Sequence, residues 1–110
     1  MPEFFDRARR LELKLPLEVR GEDSAGTAFA DSAVSVNVSG GAVCFESGRR
    51  LDVGASLALE IALPETLRRH FGGEPVYRTR AVVYRVEPAA AGGRLRVVAR
   101  FVAGGLASGP

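Results

Sequence analysis

The sequence predicts an all-β protein, a six-stranded antiparallel β-barrel with one short helix. Several stretches alternate apolar and polar residues with a period of two, which is typical of strands that bury one face. Short turns rich in glycine or polar residues separate these stretches, as they do in hairpins. A sheet of about six strands must bury its apolar face and protect its edges, and closure into a small barrel does both. The 110 residues, 46% of them hydrophobic, suit one domain with a single core.

The first two strands are predicted over residues 11–19 and 28–38. Leucines and one valine occupy every second position of 11–19. Pro16 favours an edge or a bulge in this strand, because proline cannot donate to a strand ladder. A turn is predicted at residues 21–26. In the second strand, one face is expected to consist of Val34, Val36 and Val38.

The middle of the chain predicts a hairpin, a strand and the only convincing helix. The hairpin covers residues 33–46, with a tight glycine turn at 39–41. Alternation over 57–63 predicts the next strand. The helix is expected to be one to two turns long, because Pro64 suits its first position and the glycine pair 72–73 ends it.

Two further strands are predicted to complete the barrel. One covers residues 76–86, and one of its faces is expected to consist of Val82, Tyr84 and Val86. Arg78 and Arg80 would share that face, so we expect a bulge or a strand that extends beyond the core. The last strand, over 95–101, has the cleanest alternation in the chain.

Composition and motifs favour a binding domain over an enzyme. The chain has one cysteine, Cys44, and one histidine, His70, so no Cys/His cluster with metal-ligand spacing is visible. The glycine-rich loops of P-loop and dinucleotide-binding proteins are also missing, and nothing resembles a nucleophile elbow. We therefore expect a non-catalytic domain without a cofactor or metal, in which Cys44 is a small buried apolar residue.

Charge and hydropathy bear on location and partners. No apolar run approaches the ~20 residues of a membrane span, and no signal peptide is visible, so a cytoplasmic location is expected. The net charge of +2 is only mildly basic, and no DNA partner is expected. We expect an arginine-containing arm at residues 1–10, the barrel at 11–103 and a frayed tail at 104–110.

Two motifs accompany the predicted strands. The first is an arginine cluster just before the first strand, made of Arg7, Arg9 and Arg10. The second is Asn37-Val38-Ser39-Gly40-Gly41-Ala42, between the second and third strands. In this order they resemble the PilZ family, small β-barrel receptors for cyclic di-GMP that carry Arg-x-x-x-Arg and Asp/Asn-x-Ser-x-x-Gly at these places. The resemblance implies that Arg10, with Arg7 or Arg9, grips phosphate and guanine, while residues 37–42 form the other wall.

The sequence departs from the family pattern at two positions. Asp6 falls where the first arginine is expected, and a carboxylate there would lie near the phosphates. Ala42 stands where the family has glycine. This matters only if the position needs a positive φ, where a side chain costs about 1–2 kcal/mol. Arginine suits the ligand because its planar fork pairs with a phosphate or with guanine O6 and N7.

Other interpretations stay open on the sequence. Asn37 and Ser39 beside two glycines are also what an ordinary hairpin turn uses. Arg94, Arg96 and Arg100 are either a solvated stripe or an extension of an anion site. A degenerate PilZ domain without the nucleotide would act as a protein-interaction module, with a partner the sequence does not identify. A barrel that binds single-stranded nucleic acid is disfavoured, because such sites need exposed aromatic side chains and most of those here occupy apolar positions.

Overall fold

Six strands and one short helix make up the part of the chain that the structure, a computed structural model, describes: residues 13–69, 72–89 and 92–102. The elements are β1 (Pro16–Glu22), β2 (Ala28–Val38), β3 (Ala42–Ser47), β4 (Ser56–Ala62), α1 (Glu65–Arg68), β5 (Val76–Pro88) and β6 (Leu95–Phe101). The strands form a closed antiparallel barrel in the order β1-β2-β3-β6-β5-β4. The predicted fold class is confirmed.

The core fills the inside of the barrel, because every second side chain of a strand points to the same face. In β4, for example, Leu57, Leu59 and Ile61 are buried while the residues between them are partly exposed. Each large apolar side chain buried in this way stabilises the fold by about 1.5–3 kcal/mol. The other strands contribute in the same manner, with buried side chains that include Leu17, Val19, Phe29, Val38, Val43, Phe45, Ala81, Val83, Val97 and Ala99.

The first strand begins and ends later than the alternation indicates. β1 starts at Pro16, where a missing backbone N–H costs least, and runs to Glu22. The prediction of a strand from residue 11 is wrong for residues 13–15, which precede β1. Leu15 is nevertheless part of the core, and its carbonyl accepts the backbone N–H of Ser35 while its own N–H donates to the Ser35 side chain. The predicted turn at 21–26 is wrong at its start, since Gly21 belongs to β1.

A bulge in β2 changes which side chains face the core. The bounds of β2 are as predicted, but the register with β3 shifts between Ser35 and Asn37. A bulge adds one residue and reverses the alternation beyond it. Val34 is therefore 53% exposed while Val38 is 2% exposed, and the expectation that they share one face is wrong.

A second bulge, in β5, lies between Val83 and Arg85. The expected irregularity is present, and it separates residues that were expected on one face. Val82 and Tyr84 are exposed on the outside of the barrel, whereas Val86 packs against the core. The expectation of a shared face is wrong because the bulge reverses the alternation after Tyr84.

The helix α1 is a single turn between β4 and β5. Pro64 precedes it with extended backbone (ψ 156°), one position earlier than expected. Gly72 and Gly73 end the turn with positive φ, and the Gly73 N–H donates to the carbonyl of Arg68 at 2.7 Å. His70 lies outside the described residues. Within the described ranges, no helix has the length and apolar character needed to cross a membrane.

Candidate ligand-binding site

The turn between β2 and β3, residues 39–41, is organised by the side chain of Ser39. The backbone N–H of Ser39 donates to the carbonyl of Ala42 at 2.9 Å. Its Oγ accepts the N–H groups of Gly41 and Ala42 at 3.3 and 3.2 Å. The serine is 6% exposed, so its hydroxyl is largely committed to the turn. Ser39 thus fixes the backbone that faces any ligand at this end of the barrel.

Ala42 occupies its position without backbone strain. It is the first residue of β3 and pairs with Arg100 of β6. No non-glycine residue in the described part of the chain has a positive φ, and neither Gly40 nor Gly41 is among the glycines that do. Alanine therefore carries no conformational penalty at this position, where the PilZ pattern has glycine.

The outer side of β3 and β6 forms an apolar floor next to this turn. Val43, Phe45, Val97 and Ala99 point into the core, so Cys44 between the first two points outward by alternation. Val98 of β6 points outward in the same way and pairs with Cys44 in register. Both are buried, at 3% and 4% exposure, although they lie on the outer face of the wall. The prediction that Cys44 is buried is confirmed.

Asn37 borders this floor on the β2 side, where it pairs with Cys44. Asn37 is half-buried, in the stretch where the β2 bulge reverses the alternation. The predicted site residues Asn37, Ser39, Gly40, Gly41 and Ala42 thus follow one another around the end of the hairpin. The predicted arm residues Arg7, Arg9 and Arg10 lie outside the described residues, as does Asp6.

A cavity of about 450 Å³ lies on this outer face. Its lining includes Ser39 and Gly41 of the turn, Ala42 of β3, Tyr84 of β5, and Val98 and Arg100 of β6. Its volume is within the range of small-molecule sites, and its lining is more polar than apolar. The cavity brings the predicted turn together with two strand residues that are far from it in sequence.

Arg100 and Tyr84 contact each other at the cavity. The Arg100 Cζ lies 4.0 Å from the centroid of the Tyr84 ring, a cation–π contact. Tyr84 is 51% exposed, and Arg100 is exposed as well. Sequence reasoning placed Tyr84 on a face with Val86 and so missed it as a site residue. Arg78 and Arg80 could have revealed it, because they occupy every second position of the same strand before Tyr84. Charged side chains do not line a core, so this face was bound to point outward.

The predicted arginine stripe divides into two parts. Arg94 and Arg96 lie next to the carboxylate of Glu46, at 3.9 and 3.5 Å. Arg100 has no such carboxylate partner among the described residues. Glu46 offsets only one of these two positive charges, so that end of the stripe also keeps a net positive charge. Of the three arginines, only Arg100 lines the cavity.

Metal binding finds no support in the described residues. No group of three or more His, Cys, Asp and Glu side chains comes together within residues 13–69, 72–89 and 92–102. The polar groups at the cavity are instead hydroxyl, backbone and guanidinium groups, which suit an anionic or hydrogen-bonding organic ligand.

Comparison with solved structures identifies the class of fold. The barrel is similar to the inhibitor of motility MotI/DgrA of Bacillus subtilis (21% identity, TM-score 0.61). It is also similar to the PilZ domain of CeSA from a cellulose-synthesizing bacterium (18%, 0.55) and to MrkH of K. pneumonia in its apo state (15%, 0.58). No family model matches the sequence, and no curated protein matches it significantly.

The matches extend over most of this chain. They cover 84%, 86% and 93% of it, but 40%, 80% and 45% of the respective structures. The chain thus spans less than half the length of MotI/DgrA and MrkH, and most of the length of the CeSA domain. The described barrel has a PilZ-like fold, as the sequence motifs indicated.

Proposed function

We propose that this domain is a non-catalytic, cytoplasmic receptor for cyclic di-GMP. The observation that carries the proposal is the cavity beside the β2–β3 turn, because one of its walls contains Arg100, a cation that no carboxylate of the described residues balances. Cyclic di-GMP carries two phosphates and two guanines, and a guanidinium can bind either group. The PilZ-like fold and the Asn37-x-Ser39 motif support the same ligand.

Each wall of the proposed site has a separate task. The turn contributes backbone and small residues that permit close approach, and Ser39 acts by holding the turn in shape. The arm contributes Arg10 together with Arg7 or Arg9, which grip phosphate and guanine. Binding reorients the arm and thereby changes what the domain contacts, which requires the ligand to bind one of the two arrangements better than the other.

Calorimetric titration of the full chain tests this function. We expect saturable binding of cyclic di-GMP, micromolar or tighter, at about 0.15 M salt, where exposed charges are screened as in a cell. GTP and cyclic GMP serve as controls that carry guanine and phosphate without the cyclic dinucleotide. If the folded protein does not bind cyclic di-GMP at high concentration, the proposal is wrong and the domain is better explained as a protein-interaction module.

Two arm variants test the other wall. Asp6→Arg restores the family pattern and removes a like charge from the phosphates, a contact that costs on the order of 1 kcal/mol. We expect this variant to tighten binding severalfold, and Arg10→Ala to weaken it. Ser32→Ala, on the outside of β2 and away from the cavity, is the control. If neither arm variant changes the Kd, the arm is not part of the site.

A further inference from the structure

Among the arginines of the strands, Arg80 and Arg100 have no carboxylate partner within the described residues, and of these two only Arg100 lines the cavity. Arg20 and Arg78 share the carboxylate of Glu60, at 3.2 and 3.5 Å. Arg85 lies 3.7 Å from Glu87. Within the described residues, Arg100 has an aromatic ring beside it and no acid. No carboxylate of the described residues therefore competes for its N–H groups when a ligand enters the cavity.

Tyr84 restricts where the guanidinium of Arg100 can lie. Arg100 pairs with Val82 in the β5–β6 ladder, and Tyr84 lies two residues further along β5, a diagonal neighbour within reach of a long side chain. The contact of 4.0 Å to the ring centroid holds the cation against the tyrosine face. Because the ring occupies one face of the guanidinium, the N–H groups at its edge are the part available to a ligand.

We propose that Arg100 selects guanine over adenine in the bound cyclic dinucleotide, and that Tyr84 is its positioning residue. This inference rests on the proposed function and adds the residue that sets base specificity. An arginine fork matches the two acceptors O6 and N7 of guanine. Adenine presents an amino group in place of O6, so the same fork meets a donor instead of an acceptor.

The affinity ratio of two ligands tests this assignment. We expect the unmodified protein to bind cyclic di-GMP about 5- to 150-fold more tightly than cyclic di-AMP, the discrimination of one bidentate contact. Arg100→Gln should lower this ratio at least severalfold, because a glutamine amide pairs with adenine N6 and N7. Arg100→Lys keeps the charge but loses the fork, and should lower the ratio as well.

Tyr84 variants separate positioning from direct contact. Tyr84→Phe keeps the ring beside the guanidinium and should keep the ratio. Tyr84→Ala removes the ring and should lower the ratio, because Arg100 then samples more orientations. Both residues are exposed, so these changes leave the core intact, and circular dichroism with urea unfolding checks the fold of each variant.

Arg96→Gln is the matched control, since Arg96 is on the same outer face of β6 but is paired with Glu46. It should leave the ratio unchanged. If Arg100→Gln weakens both ligands equally, Arg100 binds phosphate and the specificity assignment is overturned while the receptor function stands. Equal affinity of the unmodified protein for the two ligands also overturns it. If the folded protein binds neither ligand, the receptor function fails together with the assignment.

Discussion

Ser35 joins the wall of the barrel to the segment that precedes β1. The residue is 1% exposed, and its hydroxyl accepts the N–H of Leu15 at 2.8 Å and donates to the carbonyl of Leu13. Its own backbone N–H donates to the carbonyl of Leu15 at 2.9 Å. The Ser35 side chain therefore gives the N–H of Leu15 an acceptor and the carbonyl of Leu13 a donor in the segment just before β1.

Ser35→Ala should lower the free energy of unfolding by about 1–3 kcal/mol, because it leaves buried polar groups without a partner. Urea unfolding followed by circular dichroism measures the change. Ser32→Ala removes an exposed hydroxyl that donates to Glu18, and should change the stability by less than about 0.5 kcal/mol. Equal effects of the two variants would contradict a structural role for Ser35.

Asp31 of β2 and Arg49, which follows β3, form an ion pair with two hydrogen bonds. The Arg49 Nε and Nη2 atoms donate to the two Asp31 oxygens at 2.6 and 3.1 Å. The hydrogen bond from Arg49 is the main reason why the pKa of Asp31 lies below its ordinary value of 3.8, since slight burial acts in the opposite direction. The carboxylate therefore favours the folded state only while it is ionised.

The sign of the pH dependence follows from that lowered pKa. Asp31 adds stability above the ordinary pKa of 3.8, and this contribution is lost as the pH falls through the lower folded value. Asp31→Asn should therefore lower the Tm at neutral pH, and the difference from the unmodified protein should shrink below that pKa. Thermal unfolding over a pH series measures it. A difference that stays constant with pH would rule out the ion pair as its cause.

At the scale of elements, β1 passes very close to the start of β4. A Cβ atom on Gly21 would lie 2.9 Å from Leu57 Cδ2 and 3.2 Å from the carbonyl oxygen of Ser56. Gly21→Ala should therefore lower the free energy of unfolding by about 1–3 kcal/mol, as overpacking does. Gly48→Ala is the matched control, because its nearest neighbour, Arg94 Nη1, is 3.8 Å away. Chemical denaturation of both variants compares them directly.

A further prediction concerns Ala42 in the β2–β3 hairpin, which stands where the PilZ pattern has a glycine. Because Ala42 starts β3 without a positive φ, Ala42→Gly should not tighten the binding of cyclic di-GMP. It should instead lower the stability by about 0.5–1 kcal/mol, the cost of a glycine within regular structure. Titration and urea unfolding of this variant test both statements. A clear gain in affinity would mean that the side chain of Ala42 obstructs the ligand.

Element positions could be predicted from the sequence more reliably than element faces. The bounds of β2 and β6 follow from alternation and flanking turns, and both agree with the structure. The predicted faces of β2 and β5 are wrong beyond Ser35 and Val83, because each bulge inserts one residue and reverses the alternation. A bulge depends on pairing with a neighbouring strand, so one strand's sequence reveals at most that an irregularity is needed.

At the scale of the whole molecule, closure joins all six strands around one core. Every strand pairs with two neighbours, and β1 pairs with β4 to complete the circle. No strand of this barrel can leave without opening the shared core. Urea unfolding should therefore be a single two-state transition, with the same midpoint by far-UV circular dichroism and by the methyl NMR signals of the core. Midpoints that differ would indicate a separately unfolding part.

The site illustrates the same limit on prediction. The turn could be read from consecutive residues, Asn37 to Ala42, since a local motif needs no knowledge of the fold. Tyr84 and Arg100, which also line the cavity, could not be predicted as site residues, because they meet only through the β5–β6 register. The lack of a carboxylate beside Arg100 within residues 13–69, 72–89 and 92–102 likewise depends on which strands lie side by side.

The position of Tyr84 also gives the protein a built-in optical probe. The chain has no tryptophan and only two tyrosines. Tyr77 packs edge-on against Phe101, with ring centroids 5.5 Å apart, and burial raises the pKa of its phenol. In Tyr77→Phe protein, all tyrosine fluorescence would come from Tyr84 at the cavity wall. Ligand entry could then be followed by emission from the unlabelled protein.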